Sequence, residues 1–126
     1  MSHEPILVID DNEMNLKLER VLLEIEQYQV RTAKGAPEAL RLLESYQPEL
    51  ILMDLQMPGM DGIELAAKLK TDPRYQDITI LMLSSNAQRG DAERAKAAGC
   101  DAYLTKPIDT QALPGLVACF LRKHRA

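Results

Sequence analysis

The chain has no tryptophan, a single phenylalanine, and only two cysteines and two histidines among its 126 residues. Each scarcity removes a class of function. Cys100 and Cys119 stand too far apart for a CxxC redox pair and are too few for a metal cluster, so they read as two reduced, semi-buried thiols. His3 and His124 lie near opposite termini and make no catalytic or metal-binding pair. Glycine is sparse, with six in all, and none forms a GxGxxG or GxxxxGKS/T phosphate loop, which weighs against a nucleotide site. No apolar run approaches the roughly 20 residues of a membrane span. The opening Met1-Ser2-His3-Glu4-Pro5 is no signal peptide, so the expectation is a cytoplasmic protein with no membrane partner. Positive charge is not in excess either. Fifteen Lys and Arg against 19 Asp and Glu leave a formal net charge of −4, which argues against direct nucleic-acid binding.

What is present is a globular composition, 46% hydrophobic and 27% charged, on a chain long enough for one well-cored domain and too short for two. The stretch Leu50-Ile51-Leu52-Met53-Asp54-Leu55-Gln56-Met57-Pro58-Gly59-Met60-Asp61-Gly62 organises the rest. It begins as an apolar run without alternation, the pattern of a strand covered on both faces. The run ends in the carboxylate of Asp54, and Met57-Pro58-Gly59 then breaks regular structure. Open α/β sheets place their chemistry at such strand ends.

The other elements follow in order. Ile6-Leu7-Val8-Ile9 predicts a buried first strand ending in Asp10-Asp11-Asn12. Met14, Leu18, Val21, Leu22 and Ile25 form the stripe of a core-facing helix, with Asn12 as its cap and Glu13 complementing its dipole. Gln29 to Ala33 is a weaker, more polar strand and suggests an edge. Gly35 and Pro37 open a second helix with Ala36, Ala39, Leu40 and Leu43 inward. Gly62 to Lys70 makes a third helix, Ile78 to Leu83 a fourth strand, and Asp91 to Ala98 a fourth helix with Ala92 and Ala95 on one side and Gly99 at its end. Ala102 to Thr105 is a short fifth strand running into Lys106-Pro107. The last helix turns Leu113, Leu116, Val117, Phe120 and Leu121 inward, and Pro114-Gly115 predicts a late or distorted start. Strands and helices alternating through short links predict an α/β fold with a parallel sheet covered by helices on both faces.

In a parallel sheet every strand's carboxyl end opens on the same edge. Asp10 and Asp11 from the first strand, Asp54 from the third, Ser84 from the fourth and Lys106 from the fifth can therefore converge. Carboxylates ~4 Å apart repel by on the order of 4 kcal/mol at an effective dielectric near 20. Lys106 offsets one charge, and the remainder calls for a divalent ion. Oxygen donors without His or Cys favour Mg2+, with Mn2+ as a substitute. A hydroxyl and an ammonium beside such an ion are the donors that hold phosphoryl oxygens, and an Asp can take the phosphoryl group as an acyl phosphate. Asp54, at the centre of the sheet, is best placed to do so.

The motifs Ile9-Asp10-Asp11-Asn12, Leu52-Met53-Asp54-Leu55-Gln56-Met57-Pro58 with Met60-Asp61-Gly62, Leu83-Ser84-Ser85-Asn86-Ala87 and Tyr103-Leu104-Thr105-Lys106-Pro107 stand in one order and spacing. In that arrangement the chain resembles the receiver domain of two-component response regulators, from Ile6 to the last helix. The resemblance implies a flavodoxin-like (βα)5 fold with strand order 2-1-3-4-5. It implies Asp54 as phosphoacceptor, fed by a phosphohistidine on a sensor histidine kinase or histidine phosphotransfer protein. It implies Mg2+ held directly by Asp11 and Asp54, through water by Asp10, and by the backbone carbonyl of Gln56. Ser84 and Lys106 would each hold a phosphoryl oxygen, the Lys106–Pro107 peptide would be cis, and Tyr103 would turn inward as Ser84 moves. Gln56 and Asn86 would tune hydrolysis of the acyl phosphate. Ser84 departs from the commoner threonine, keeping the hydroxyl but not the methyl that restricts it.

The expected function is a phosphorylation-switched signalling module rather than an enzyme acting on a separate substrate. Residues 1–126 would be a single receiver domain without an output domain, more in keeping with a free-standing regulator than with a receiver excised from a larger protein. Its surface of helix four, strand five and helix five would signal to a downstream protein, as a monomer or as a phosphorylation-dependent dimer. Three rivals are weaker. A metal-dependent phosphatase needs a second Asp two residues after a nucleophile on strand one, and Asp10-Asp11-Asn12-Glu13 lacks it. A non-phosphorylated pseudo-receiver has no reason to keep Asp54, Ser84 and Lys106 together. A flavin carrier is disfavoured by the missing aromatics and by the lack of a hydroxyl-rich loop after strand one.

Overall fold

The computed structural model describes residues 4–85, 88–106 and 109–125, with side chains through Arg122. Strands and helices alternate: β1 (Pro5–Ile9), α1 (Glu13–Ile25), β2 (Gln29–Ala33), α2 (Ala36–Leu43), β3 (Leu50–Asp54), α3 (Gly62–Lys70), β4 (Thr79–Ser84), α4 (Asp91–Ala97), β5 (Ala102–Thr105) and α5 (Leu113–Arg125). The strands form one sheet in the order β2-β1-β3-β4-β5. Every neighbouring pair runs parallel. The predicted fold class is the observed one, and all five carboxyl ends open on one edge.

The unalternating apolar runs of β1, β3 and β4 are buried because the sheet is covered twice. Leu7, Ile9, Ile51, Met53, Ile80 and Met82 face one cluster with the inner sides of α2 and α3 and with Ala95 of α4. Ile6, Val8, Leu50, Leu52, Leu81 and Leu83 face a second cluster with Leu16 and Leu23 of α1 and Leu113, Val117 and Leu121 of α5. Successive strand residues point to opposite faces, so one run of sequence feeds both cores.

Helix α1 corrects the expected stripe. Met14, Leu18, Val21 and Ile25 are 79%, 42%, 41% and 67% exposed, while Leu16, Glu19 and Leu23 are buried. At 3.6 residues per turn the exposed four share one face roughly opposite the buried three. Only Leu22 of the predicted set packs partly on the core. The helix has two apolar faces, and the richer one is on the outside. Its phase is fixed where it leaves β1, by Asn12 accepting the Asn15 amide at 3.0 Å, and that phase turns Glu19 inward. In α4, Ala95 is buried as expected but Ala92 is exposed. The inward neighbour there is Asp91, which accepts the Gln88 amide at 2.8 Å. Cys119 is likewise exposed, not semi-buried, whereas Cys100 is half-buried with its thiol pushed up to about 11 by burial.

Two features of the loops set the site. Helix α3 starts in a reciprocal cap, Asp61 accepting the Glu64 amide and Glu64 accepting that of Asp61. A Cβ at Gly62 would lie 2.5 Å from the Asp54 carbonyl oxygen and 2.7 Å from Met82 Sδ, so only glycine lets α3 begin against the end of β3. Helix α5 starts late, at Leu113, with Pro114 harmless in its first turn. The preceding turn is capped by Asp109, which accepts from the Gln111 and Ala112 amides.

Candidate functional site

The carboxyl edge of the sheet brings together five of the residues the sequence singled out. Asp10 follows β1 and is buried; its Oδ1 accepts the Asn12 amide at 2.9 Å and its Oδ2 accepts Lys106 Nζ at 2.7 Å. Asp54, 4% exposed, ends β3. Its Oδ1 lies 3.4 Å from Lys106 Nζ as an ion pair, yet this buried oxygen has no hydrogen-bond partner. Asp11 is exposed at the rim. One carboxylate oxygen from each of Asp10, Asp11 and Asp54 lies within 4.8 Å of the others.

The charges do not balance within the protein. Burial first, and then the negative charge of Asp10, push the Asp54 carboxyl up to about 6, against the opposing pull of Lys106. Burial alone would lower Lys106, but its hydrogen bond to Asp10 and the charges of Asp54, Asp10 and Glu19 outweigh that and hold the ammonium above the ordinary lysine value. One ammonium thus serves three carboxylates. The orphaned Asp54 oxygen, the all-oxygen donor set and the uncompensated charge fit a hard divalent cation such as Mg2+.

Ser84, the last residue of β4, is buried, and its Oγ accepts Gln56 Nε2 at 2.8 Å. The Gln56 carbonyl oxygen in turn accepts the Ser85 amide at 3.3 Å. Lys106 is held to the same strand end by its amide, which donates to the Ser84 carbonyl at 2.8 Å. Tyr103 pairs with Met82 across β4 and β5 and packs against the α3-side core, its hydroxyl buried without a hydrogen bond. Asn86 and Pro107 lie outside the described residues.

An oxygen-lined carboxylate cluster at the centre of a 2-1-3-4-5 sheet, flanked by a lysine and a hydroxyl, is what the four motifs implied. The family model for the response regulator receiver domain matches residues 6–118. The chain belongs to this family. It is 39% identical over 103 residues to the polar-differentiation response regulator DivK of Brucella anthropi, covering 82% of this chain and 84% of that protein. Among solved structures, a CheY-like receiver domain protein from Methanospirillum hungatei superposes with a TM-score of 0.91 at 28% identity, covering 98% of this chain and 97% of that one. The receiver domain of a signal transduction histidine kinase from Syntrophus aciditrophicus gives a TM-score of 0.88 at 30% identity, over 95% and 91%. The receiver is therefore a two-component signalling protein. Among its described residues no helix is long and apolar enough to cross a membrane.

Sequence reasoning missed two residues of this receiver's site and one contact of a third. Glu19 is 1% exposed on α1, its Oε2 has no hydrogen bond, and burial, followed by the charge of Asp10, pushes its carboxyl up to about 8. The signal was available: Glu19 stands three residues after Leu16 and four before Leu23. Gly62 appeared only as part of a motif, not as a close backbone approach. Gln56 was assigned a metal-facing carbonyl and a tuning role, and its side-chain bridge to Ser84 is new.

Proposed function

We propose that this receiver accepts a phosphoryl group on Asp54 from a phosphohistidine of a sensor histidine kinase or histidine phosphotransfer protein, and passes the change to a downstream protein through α4, β5 and α5. The observation that carries this is the Asp54 Oδ1, buried and without a hydrogen bond beside Lys106 and two further carboxylates. A structural aspartate would satisfy that oxygen; a nucleophile keeps it open.

The Asp54 oxygen attacks phosphorus as the phosphorus–nitrogen bond to histidine breaks. The bonding pair stays on the imidazole nitrogen, and because the ring enters the step protonated on its other nitrogen, it leaves as neutral histidine beside an aspartyl phosphate. Asp10, Asp11, Asp54 and the Gln56 carbonyl would hold Mg2+, which when bound neutralises charge on the phosphoryl oxygens. Lys106 exchanges its place near Asp54 Oδ1 for a phosphoryl oxygen, and Ser84 donates its hydroxyl to another. Ser84 sits at the end of β4 and Tyr103 on adjacent β5, so movement of Ser84 opens or fills space for the ring and carries the change to the α4–β5–α5 surface. The outer face of α1 supports a helical donor. Its stripe starts at Met14, three residues from Asp11, and runs to Ile25, the pattern by which one helix reads another.

The test is intact mass after incubation with phosphoramidate or acetyl phosphate. Wild type with Mg2+ should gain one phosphoryl group; labelling that survives Asp54→Ala, or is indifferent to chelator, overturns the reading.

A further inference from the structure

The edge of the sheet farthest in strand order from Lys106 carries a second feature, which the phosphoacceptor reading does not use. Among the described residues strand β2 pairs only with β1. In a parallel ladder alternate residues turn their amide and carbonyl to opposite sides. The Gln29 amide donates to Glu4 at 3.0 Å, and the Ala33 carbonyl accepts from Asp10 at 3.1 Å, so Gln29, Arg31 and Ala33 face β1. Val30 and Thr32 accordingly present their amides and carbonyls outward. Along them runs an open groove of about 430 Å³, lined by Val30, Arg31 and Thr32 of the strand, Arg20 of α1, and Glu38 and Arg41 of α2.

Three guanidinium groups here stand out on a chain of net charge −4. They also lie on both faces of the strand. Val30 packs on the cluster beneath α1, the side of Arg20, and Ala33 belongs to the opposite cluster. Arg31 shares the parity of Ala33, and its guanidinium sits 5.3 Å from the Tyr46 ring centroid on the side of Arg41. The acids nearby are only loosely engaged. Glu38 Oε2 accepts the Lys34 amide at 3.4 Å, and Arg20 meets Glu24 at 3.7 Å in a solvent-exposed pair, a kind worth little.

We propose that this β2 edge is a docking groove for an extended acidic segment of a partner protein, added to the sheet as a sixth strand. Main-chain bonds to Val30 and Thr32 supply the register. Side chains of an added strand alternate between faces, so acids on one face meet Arg20 and acids on the other meet Arg31 and Arg41. The same arginines repel a second copy of this edge and fail to complement a neutral one. Charge thus selects the occupant.

The test uses the unphosphorylated receiver and does not depend on Asp54. The probe is the peptide acetyl-Asp-Asp-Val-Val-Asp-Asp-Val-Val-amide, which carries acids on both faces of an added strand, followed by amide NMR, hydrogen exchange and affinity at low and physiological salt. Binding should protect the Val30 and Thr32 amides, and the Arg31→Gln, Arg41→Gln double variant should weaken it about tenfold. Arg20→Gln, on the other face, should weaken it independently, with melting temperatures checking that each variant is folded. A peptide with proline in place of valine keeps the charge but loses the pairing amides, and should bind poorly. Equal binding of the proline peptide, shifts mapping elsewhere, or protection of Val30 and Thr32 by concentration-dependent self-association without peptide would each overturn the proposal.

Discussion

Gln56 Nε2 donates to Ser84 Oγ at 2.8 Å, so the hydroxyl expected to reach a phosphoryl oxygen is already held by a neighbouring loop. The same amide group's oxygen accepts from Ser85, which ties the loop after β3 to the end of β4 at two points. Ser84 Oγ only accepts from Gln56, but a rotation that carries the oxygen toward the phosphoryl group breaks that bond at a net cost of about 1 kcal/mol. Gln56→Ala should therefore bind fluoroberyllate, an acyl-phosphate mimic, about fivefold more tightly in the presence of Mg2+. Calorimetry reads this directly. Unchanged or weaker binding would mean that Ser84 keeps its Gln56 bond in the switched state.

Asp54 makes the site pH-sensitive from its acid side. With its carboxyl raised to about 6, protonation below that pH removes the proposed nucleophile and, with it, a proposed cation ligand. The rate of labelling by acetyl phosphate at subsaturating Mg2+ should rise between pH 5 and 7 and then level off. The stability effect has a definite sign. A carboxyl held above its unfolded value is least unfavourable below pH 3.8, and stability falls as pH rises through about 6. In chelator at pH 7.5, Asp54→Asn should be more stable than wild type by on the order of 2 kcal/mol while taking no label.

Gly62 tests the coupling of fold to site. An alanine methyl must displace the Asp54 carbonyl, the Leu55 backbone or the Met82 sulfur, all of them close-packed. Gly62→Ala should cost about 1–3 kcal/mol in urea unfolding. It should also slow labelling of Asp54, because the carbonyl that shifts belongs to the residue proposed to take the phosphoryl group. A neutral effect would mean that α3 can start elsewhere.

The proposed docking on α1 predicts different outcomes for a small-molecule and a protein phosphoryl donor. Leu18→Asp with Ile25→Asp alters a face already in water, so stability should change by less than about 0.5 kcal/mol. Labelling by acetyl phosphate should stay normal, since a small donor needs no docking surface. Transfer from a phosphorylated histidine phosphotransfer protein should fall by tenfold or more if that partner reads the stripe. Equal loss with both donors would place the defect in the site itself.

The sheet was legible because β1, β3 and β4 are covered on both faces, which leaves a continuous apolar run in each. The partners of Asp54 were legible for a related reason: parallel strands share one carboxyl edge, so Asp10, Ser84 and Lys106 had to meet it. Helix α1 was misread because periodicity reports that a stripe exists and not which way it faces. Met14, Leu18, Val21 and Ile25 outweigh Leu16 and Leu23, and the buried Glu19 between those two disguises the true inner face. Ala92 failed in the same way: a small residue has too little hydrophobic weight to set the phase of a seven-residue helix. The Gln56–Ser84 bridge depends on two loops meeting in space, and no spacing in the chain encodes it.

Glu19 is the costliest residue of that inner face and gives the sharpest pH test. Its Oε2 is buried without a hydrogen bond, and burial, followed by the charge of Asp10, raises its carboxyl from 4.5 to about 8. The unfolded chain ionises near 4.5 and the folded one does not until about 8, so any stability Glu19 leaves intact is fully present below the lower value and lost as pH rises through the upper one. Glu19→Leu extends the cluster of Leu16 and Leu23 and removes the titration. In chelator it should exceed wild type by about 2–4 kcal/mol at pH 8, and the gap should close toward pH 5, where only packing differences remain. Urea unfolding at pH 5, 6.5 and 8 measures the slope. A gap independent of pH would mean that Glu19 is ionised in the fold, its charge met by Lys106.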